Sequence, residues 1–232
     1  MQKISDYSKS AILPLSEQCS TRLSYTIKNR TFLWFIKVSF LYNRFLNAFF
    51  LLTTQTKMES KIRQPKEFPE KVHVIIEIPR GSENKYEVDK ETGMLKLDRP
   101  LFSSVHYPGD YGYIPKTLWE DGDPLDILVF TSHPVYPLTL AKVRVLAVIN
   151  MIDGKDSDSK IIGVYDTDPR FTEYQNLEDI PKHKIRETIH FFESYKKLQG
   201  KEVKIMGVEN KEEAIKAILT SKKNYEEKEG KD

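Results

Sequence analysis

The strongest constraint on the fold is a succession of short β-type segments, each closed by a turn signal, with helical periodicity only near the C-terminal end. Val72, Val74, Ile76 and Ile78 alternate with His73, Ile75 and Glu77 and stop at Pro79, the pattern of a strand with one buried face. Residues 85–89 and 94–98 flank Lys90-Glu91-Thr92-Gly93, a hairpin signal in which the glycine supplies a positive φ. Residues 127–130, 141–149, 161–165 and 203–208 are further β candidates. Ile185, Ile189, Phe192 and Tyr195 share one face of a helix expected over 182–199, stopped by Gly200. Asn210-x-x-Glu213 resembles a capping box opening a second helix, and the charged stretch 222–232 is expected to fray. Short strands throughout with helices late predict a mainly β, α+β chain: a small β-barrel with two flanking helices in the C-terminal half.

Composition removes several classes of function. The chain has 232 residues, 30% charged and 39% hydrophobic, which fits neither disorder nor a polytopic membrane protein. Its single cysteine, Cys19, excludes an intramolecular disulfide framework and a multi-cysteine zinc site. The net charge of +2 hides an asymmetry: residues 1–57 hold eight of the 36 Lys and Arg but only Asp6 and Glu17. The remainder is net acidic, which argues against nucleic-acid binding by the main body, because phosphate neutralisation needs clustered positive charge.

The sequence divides near Met58 into a basic, aromatic-rich extension, 1–57, and a main domain, 58–232. Within the extension, 32–53 are mostly apolar but interrupted by Lys37 and Arg44. A spanning helix wants about 20 apolar residues with few charges, and each central cation costs roughly 2.5–3.5 kcal/mol. Membrane contact is therefore not expected except through 32–53. Three readings stay open: an organelle-targeting presequence, a membrane-associated amphipathic anchor, or a leader upstream of a true start at Met58.

The chemistry concentrates in carboxylates. Asp121-Gly122-Asp123-Pro124-Leu125-Asp126 places three within six residues, and Asp153, Asp156 and Asp158 form a second cluster before Lys160. Hard oxygens at this density suit Mg²⁺ or Mn²⁺. A solvated acidic turn gives the same pattern for either cluster taken alone. Neither fits a calcium EF-hand, which requires Gly at loop position 6 and Glu at position 12. Tyr107, Tyr111 and Tyr113 offer hydroxyls to a polar ligand or form an aromatic cluster against the core.

Taken in order, these elements resemble the family I soluble inorganic pyrophosphatases. The resemblance rests on I-E-I-P at 76–79, K-Y-E at 85–87, D-R at 98–99 and Y-P-x-x-Y-G-Y-I at 107–114. It continues through D-G-D-P-L-D at 121–126, Asp153, Asp158 and Lys160, and H-F-F-E-x-Y-K at 190–196. It covers about 160 residues and excludes 1–57. It implies a five-stranded barrel of the oligonucleotide/oligosaccharide-binding kind. It also implies Mg²⁺-dependent hydrolysis of pyrophosphate to two orthophosphates by attack of a metal-activated water, with Mn²⁺ or Zn²⁺ as substitutes. Asp121, Asp126, Asp153 and Asp158 look like the metal ligands, and Asp123 resembles the general base. Lys85, Arg99, Tyr111, Tyr195 and Lys196 resemble the groups that hold the phosphates. Glu77, Glu87, Tyr107 and Lys160 occupy supporting positions.

The resemblance further implies a cytoplasmic homo-oligomer, with a hexamer favoured; targeting through 1–57 is the alternative location. The expected partner is pyrophosphate and not nucleic acid. The rival reading is a non-catalytic barrel that binds nucleic acid or protein, for which the fold is well suited. A stacking platform wants aromatics beside a basic groove, whereas here the tyrosines neighbour acids.

Overall fold

A computed structural model of the chain describes residues 61–230. The extension, with its three readings, lies outside the described residues. The described part contains nine strands: β1 (Lys71–Ile78), β2 (Asn84–Val88), β3 (Leu95–Pro100), β4 (Asp110–Tyr113), β5 (Asp126–Phe130), β6 (Thr139–Asp153), β7 (Asp156–Ser157), β8 (Lys160–Tyr165) and β9 (Val203–Glu209). Two α-helices flank β9 in the chain, α1 (Lys182–Ser194) before it and α2 (Lys211–Glu229) after it.

Five strands close on themselves. They pair in the order β1-β4-β5-β8-β6, and β6 pairs again with β1, so the five leave no free edge among themselves. Every pairing in this ring is antiparallel except β5 with β8. The fifteen-residue β6 makes closure possible: its start pairs with β1, its middle with β8, and its far end with β9 and β7. Register shifts at Val145/Ala147 and Asn150/Met151 are the bulges that let a long strand bend between partners.

Strand periodicity separates two cores. Ile127 and Val129 join Val72, Val74, Ile76 and Ile161 in a cluster completed by Ala214 and Ile218 of α2. Leu128 and Phe130, one residue out of phase, join Ile78, Ile162 and Val164 in a second cluster with Phe191, Phe192 and Tyr195. Alternate side chains point to opposite faces, and both faces are covered. This is why β5 and β8 read as near-continuous apolar runs; in β1, Lys71, His73 and Ile75 are only half-buried, so the strand alternates.

Helix α1 ends at Ser194, and a short 3-10 turn (Lys197–Gln199) leads into Gly200 at φ +70°. Its buried residues are Thr188, Phe191 and Phe192; of the expected face, Phe192 and Tyr195 are buried and Ile185 and Ile189 half-buried. Asn210 caps α2 by accepting the Glu213 N–H at 3.2 Å. The tail does not fray where expected. It stays helical to Glu229, supported by Lys222–Glu226 and Lys223–Glu227 pairs at i,i+4 spacing and by Asn224, which donates to the Leu118 carbonyl at 3.3 Å.

Two residues of the Y-P-G-D-Y-G-Y stretch are structural. Gly112 faces Ile76 across β1–β4, where an added Cβ would lie 1.9 Å from the Ile75 carbonyl oxygen; only glycine permits that approach. Asp110 is fully buried and ties four segments together. It accepts the Arg80 N–H at 2.7 Å, the Val135 N–H at 3.2 Å and the Tyr165 hydroxyl at 2.6 Å. Burial raises its pKa, against the pull of these three donors. Asp110→Ala strands all of them, so it should cost about 3 kcal/mol or more, with Asp110→Asn recovering part. Denaturant midpoints check this, and a wild-type midpoint for Asp110→Ala would remove the bracing role.

Candidate active site

The ring places carboxylates at the ends of adjacent strands. In the parallel β5–β8 pair, Asp126 is the register partner of Lys160. The Lys160 ammonium, only 3% exposed, lies 2.6 Å from Asp126 Oδ2 and also contacts Asp158 Oδ1. Tyr111 of β4 donates its hydroxyl to the same Asp126 oxygen at 2.6 Å. Burial alone would depress the Lys160 pKa, but Asp126 and Asp158 outweigh it and hold the lysine charged far above neutrality.

Asp121 and Asp123 come from the loop between β4 and β5. Gly122 turns that loop at φ +89°, a conformation natural to glycine. Thr117 fixes its base, donating to the Ile114 carbonyl at 2.6 Å and accepting the Leu125 N–H at 2.9 Å. The Trp119 N–H meets the Asp123 carbonyl at 2.8 Å, and Asp121 Oδ1 accepts the Asp123 N–H at 3.0 Å. The Asp121 pKa is raised, first by burial and then by the nearby Asp158 and Asp123 charges.

Two further groups border this centre. Asp153, at the end of β6, pairs with Lys196, which follows α1. On the β2–β3 hairpin, Lys85 contacts Glu87 and lies 3.4 Å from Asp98, while Arg99 contacts Asp98. The Arg99 Nε is buried without a hydrogen-bond partner, while its Nη1 holds Asp98. Burial opposes the Lys85 charge, but Glu87 and Asp98 keep its pKa above the ordinary value.

The tyrosines link these groups. Tyr107 packs on Phe191 and Tyr111, with centroids 4.8 and 5.4 Å away. Tyr195 stacks on Phe191 at 5.3 Å. Burial raises the pKa of all three hydroxyls. Asp126 adds to this for each of them; Asp158 does so for Tyr111 and Tyr195, and Asp153 for Tyr195. All three are therefore donors at any physiological pH.

The candidate residues thus gather in one region, but in sub-clusters separated by lysine ammonium groups. Among the described residues, no three His, Cys, Asp or Glu side chains form a group able to hold an ion unaided. The donor set still fits hard divalent cations. Asp121, Asp126 and Asp158 offer only oxygens; Asp126 and Asp158 share the single Lys160 ammonium, and Asp121 feels the Asp158 charge. Sequence reasoning gave no role to Asp98, although it stands in the D-R pair, nor to Lys90, whose ammonium lies 2.5 Å from Asp123 Oδ1. Nothing in a charged hairpin turn marks the latter.

Glu77 is the most perturbed carboxyl of the site. It is buried near the end of β1 and accepts the Val88 N–H at 2.6 Å. Burial, then Asp126 and Glu87, push its pKa from about 4.5 up to about 8. Folding therefore takes up a proton between those pH values, and stability falls as pH rises through that window. In divalent-free buffer, Glu77→Gln should gain on wild type between pH 5 and pH 9 by up to about 4 kcal/mol. Denaturation at both pH values checks this, and a pH-independent difference would contradict it.

Comparison with known proteins agrees with this geometry. The family model for inorganic pyrophosphatase matches residues 74–226, a span that contains every candidate residue from Glu77 to Lys196. The inorganic pyrophosphatase of Geobacillus stearothermophilus is 52% identical over 147 residues, 63% of this chain and 89% of that one. The inorganic pyrophosphatase of Methanosarcina acetivorans is 48% identical over 155 residues, 67% of this chain and 92% of that one. The crystal structure of inorganic pyrophosphatase from Thermus thermophilus superposes with a TM-score of 0.69 at 43% identity, covering 71% of this chain and 97% of that one. The chain belongs to the family I inorganic pyrophosphatases.

Proposed function

We propose that this chain hydrolyses inorganic pyrophosphate to two orthophosphates. The observation that carries the reading is one buried ammonium shared by Asp126 and Asp158, with Tyr111 on the same oxygen, inside a sequence span matched by the pyrophosphatase family. Asp121, Asp126 and Asp158 would hold activating Mg²⁺, and Asp153 would help to hold cations that accompany the substrate. Divalent cations, when bound, neutralise pyrophosphate and make water more acidic.

The remaining work falls to the chain. Lys85, Arg99 and Lys196 bind phosphate oxygens through their ammonium and guanidinium groups. Tyr111 and Tyr195, held protonated by burial and by neighbouring carboxylates, donate hydrogen bonds to anionic oxygens. Asp123, an exposed acid of the loop, accepts the proton as water attacks phosphorus. The bridging P–O bond then breaks, and its oxygen leaves as the second orthophosphate. Stabilisation of that developing charge by fixed donors supplies much of the rate. Glu77, Glu87, Tyr107 and Lys160 support these groups.

The domain 58–232 is the unit we assign to catalysis. A cytoplasmic location suits a chain whose only cysteine is Cys19; among the described residues no helix is long and apolar enough to cross a membrane. Exposed Tyr136, Leu138 and Leu140 offer apolar contact to a homo-oligomer, the hexamer being our preferred form.

With Mg²⁺ the protein should release two orthophosphates per pyrophosphate, and Asp123→Asn should lower turnover by roughly 10²–10⁴-fold, the loss expected for a general base. Near-normal turnover in that variant would refute the assignment. Arg99→Lys keeps the charge but loses the planar fork, so its KM for pyrophosphate should rise. Unchanged kinetics would return Arg99 to the surface.

A further inference from the structure

We infer that Lys90 is a positioning residue for Asp123, an inference that rests on Asp123 being the proton acceptor. The hairpin β2–β3 is a sheet of its own, hydrogen-bonded to the ring sheet by no strand pairing. Its root is closed by the Leu101 N–H on the Glu83 carbonyl at 2.7 Å, and its turn end is tied to β1 by the Val88 N–H on Glu77 at 2.6 Å. Its turn is locked. The Asp89 N–H reaches the Met94 carbonyl at 2.9 Å and the Gly93 N–H the Asp89 carbonyl at 2.8 Å. Asp89 Oδ1 also accepts both the N–H and the hydroxyl of Thr92, at 2.9 and 2.7 Å. Lys90 springs from this fixed turn and crosses to Asp123, 33 residues away in sequence.

At the other end, the backbone of Asp123 is held through its N–H and its carbonyl, but its side chain is 63% exposed. No packing fixes that carboxylate, so χ1 is free to sample three staggered wells. An acceptor must face the reacting water in one of them. The Lys90 contact selects one orientation. It also joins the hairpin that carries Lys85 and Arg99 to the loop that carries Asp121 and Asp123. Exposed pairs are individually weak, so the effect on rate is small and specific.

The test is steady-state kinetics of the full chain on pyrophosphate with Mg²⁺, in a double-mutant cycle. Lys90→Ala should lower kcat by up to about threefold, the scale of spreading one selected well over three, with KM within about twofold. Lys90→Arg should restore most of kcat. In the Asp123→Asn background, Lys90→Ala should cost nothing more. Mg²⁺ affinity of Lys90→Ala, read by calorimetry, should stay within about twofold of wild type. Wild-type kcat for Lys90→Ala beside an impaired Asp123→Asn would overturn the inference alone. So would a loss that persists in the Asp123→Asn background, or a raised KM with kcat intact. Near-normal turnover by Asp123→Asn would remove the base assignment and this inference together.

Discussion

One buried ammonium organises the site. Lys160 sits at the start of β8, enclosed by protein, with Asp126 and Asp158 as its counter-charges. A lysine taken out of water without partners would lose its proton or unfold its surroundings, so the two aspartates and the lysine are needed together. The parallel β5–β8 pairing makes Asp126 and Lys160 neighbours. A parallel pair requires a long crossover, and the bent β6 with β7 supplies it. The ring thus delivers opposite charges to one place, and its apolar cores keep them there.

The remaining electrostatics follow from an excess of acid over base in a buried setting. Burial, and after it the charge of Asp126, raises the pKa of Glu77 and of three tyrosines, so the site favours added positive charge. The cations that balance it lie apart, with Lys85 and Arg99 on the hairpin and Lys196 after α1. This separation suits a reaction on a dense anion. In the proposed reaction the acids would attract metal ions that make pyrophosphate attackable, while fixed cations and protonated tyrosines would hold its oxygens.

Much of this was legible in the sequence because it is written locally. Val72, Val74, Ile76 and Ile78 announce β1 by alternation, and Gly200 is left-handed as expected, although it closes the 3-10 turn after α1 and not α1 itself. The acidic loop is visible because three aspartates fall within six residues. What escaped is non-local or too short to carry a period. The four-residue β4 is buried throughout and lacks alternation. The full reach of β6 depends on partners distant in sequence. Asp110 sits within a quoted motif, but its bracing role exists only once β8 brings Tyr165 to it. The helical tail was missed because composition suggested fraying, while i,i+4 pairs and Asn224 stabilise it.

The central claim is that Asp126 is the shared carboxylate of a cation-binding centre built around Lys160. The most direct measurement is a calorimetric titration of Mg²⁺ into wild-type chain and into Asp126→Asn, with folding checked by circular dichroism. Loss of a ligand should weaken binding by roughly tenfold or more in a folded variant. An Asp126→Asn protein that folds and binds Mg²⁺ with unchanged affinity and stoichiometry would contradict the account.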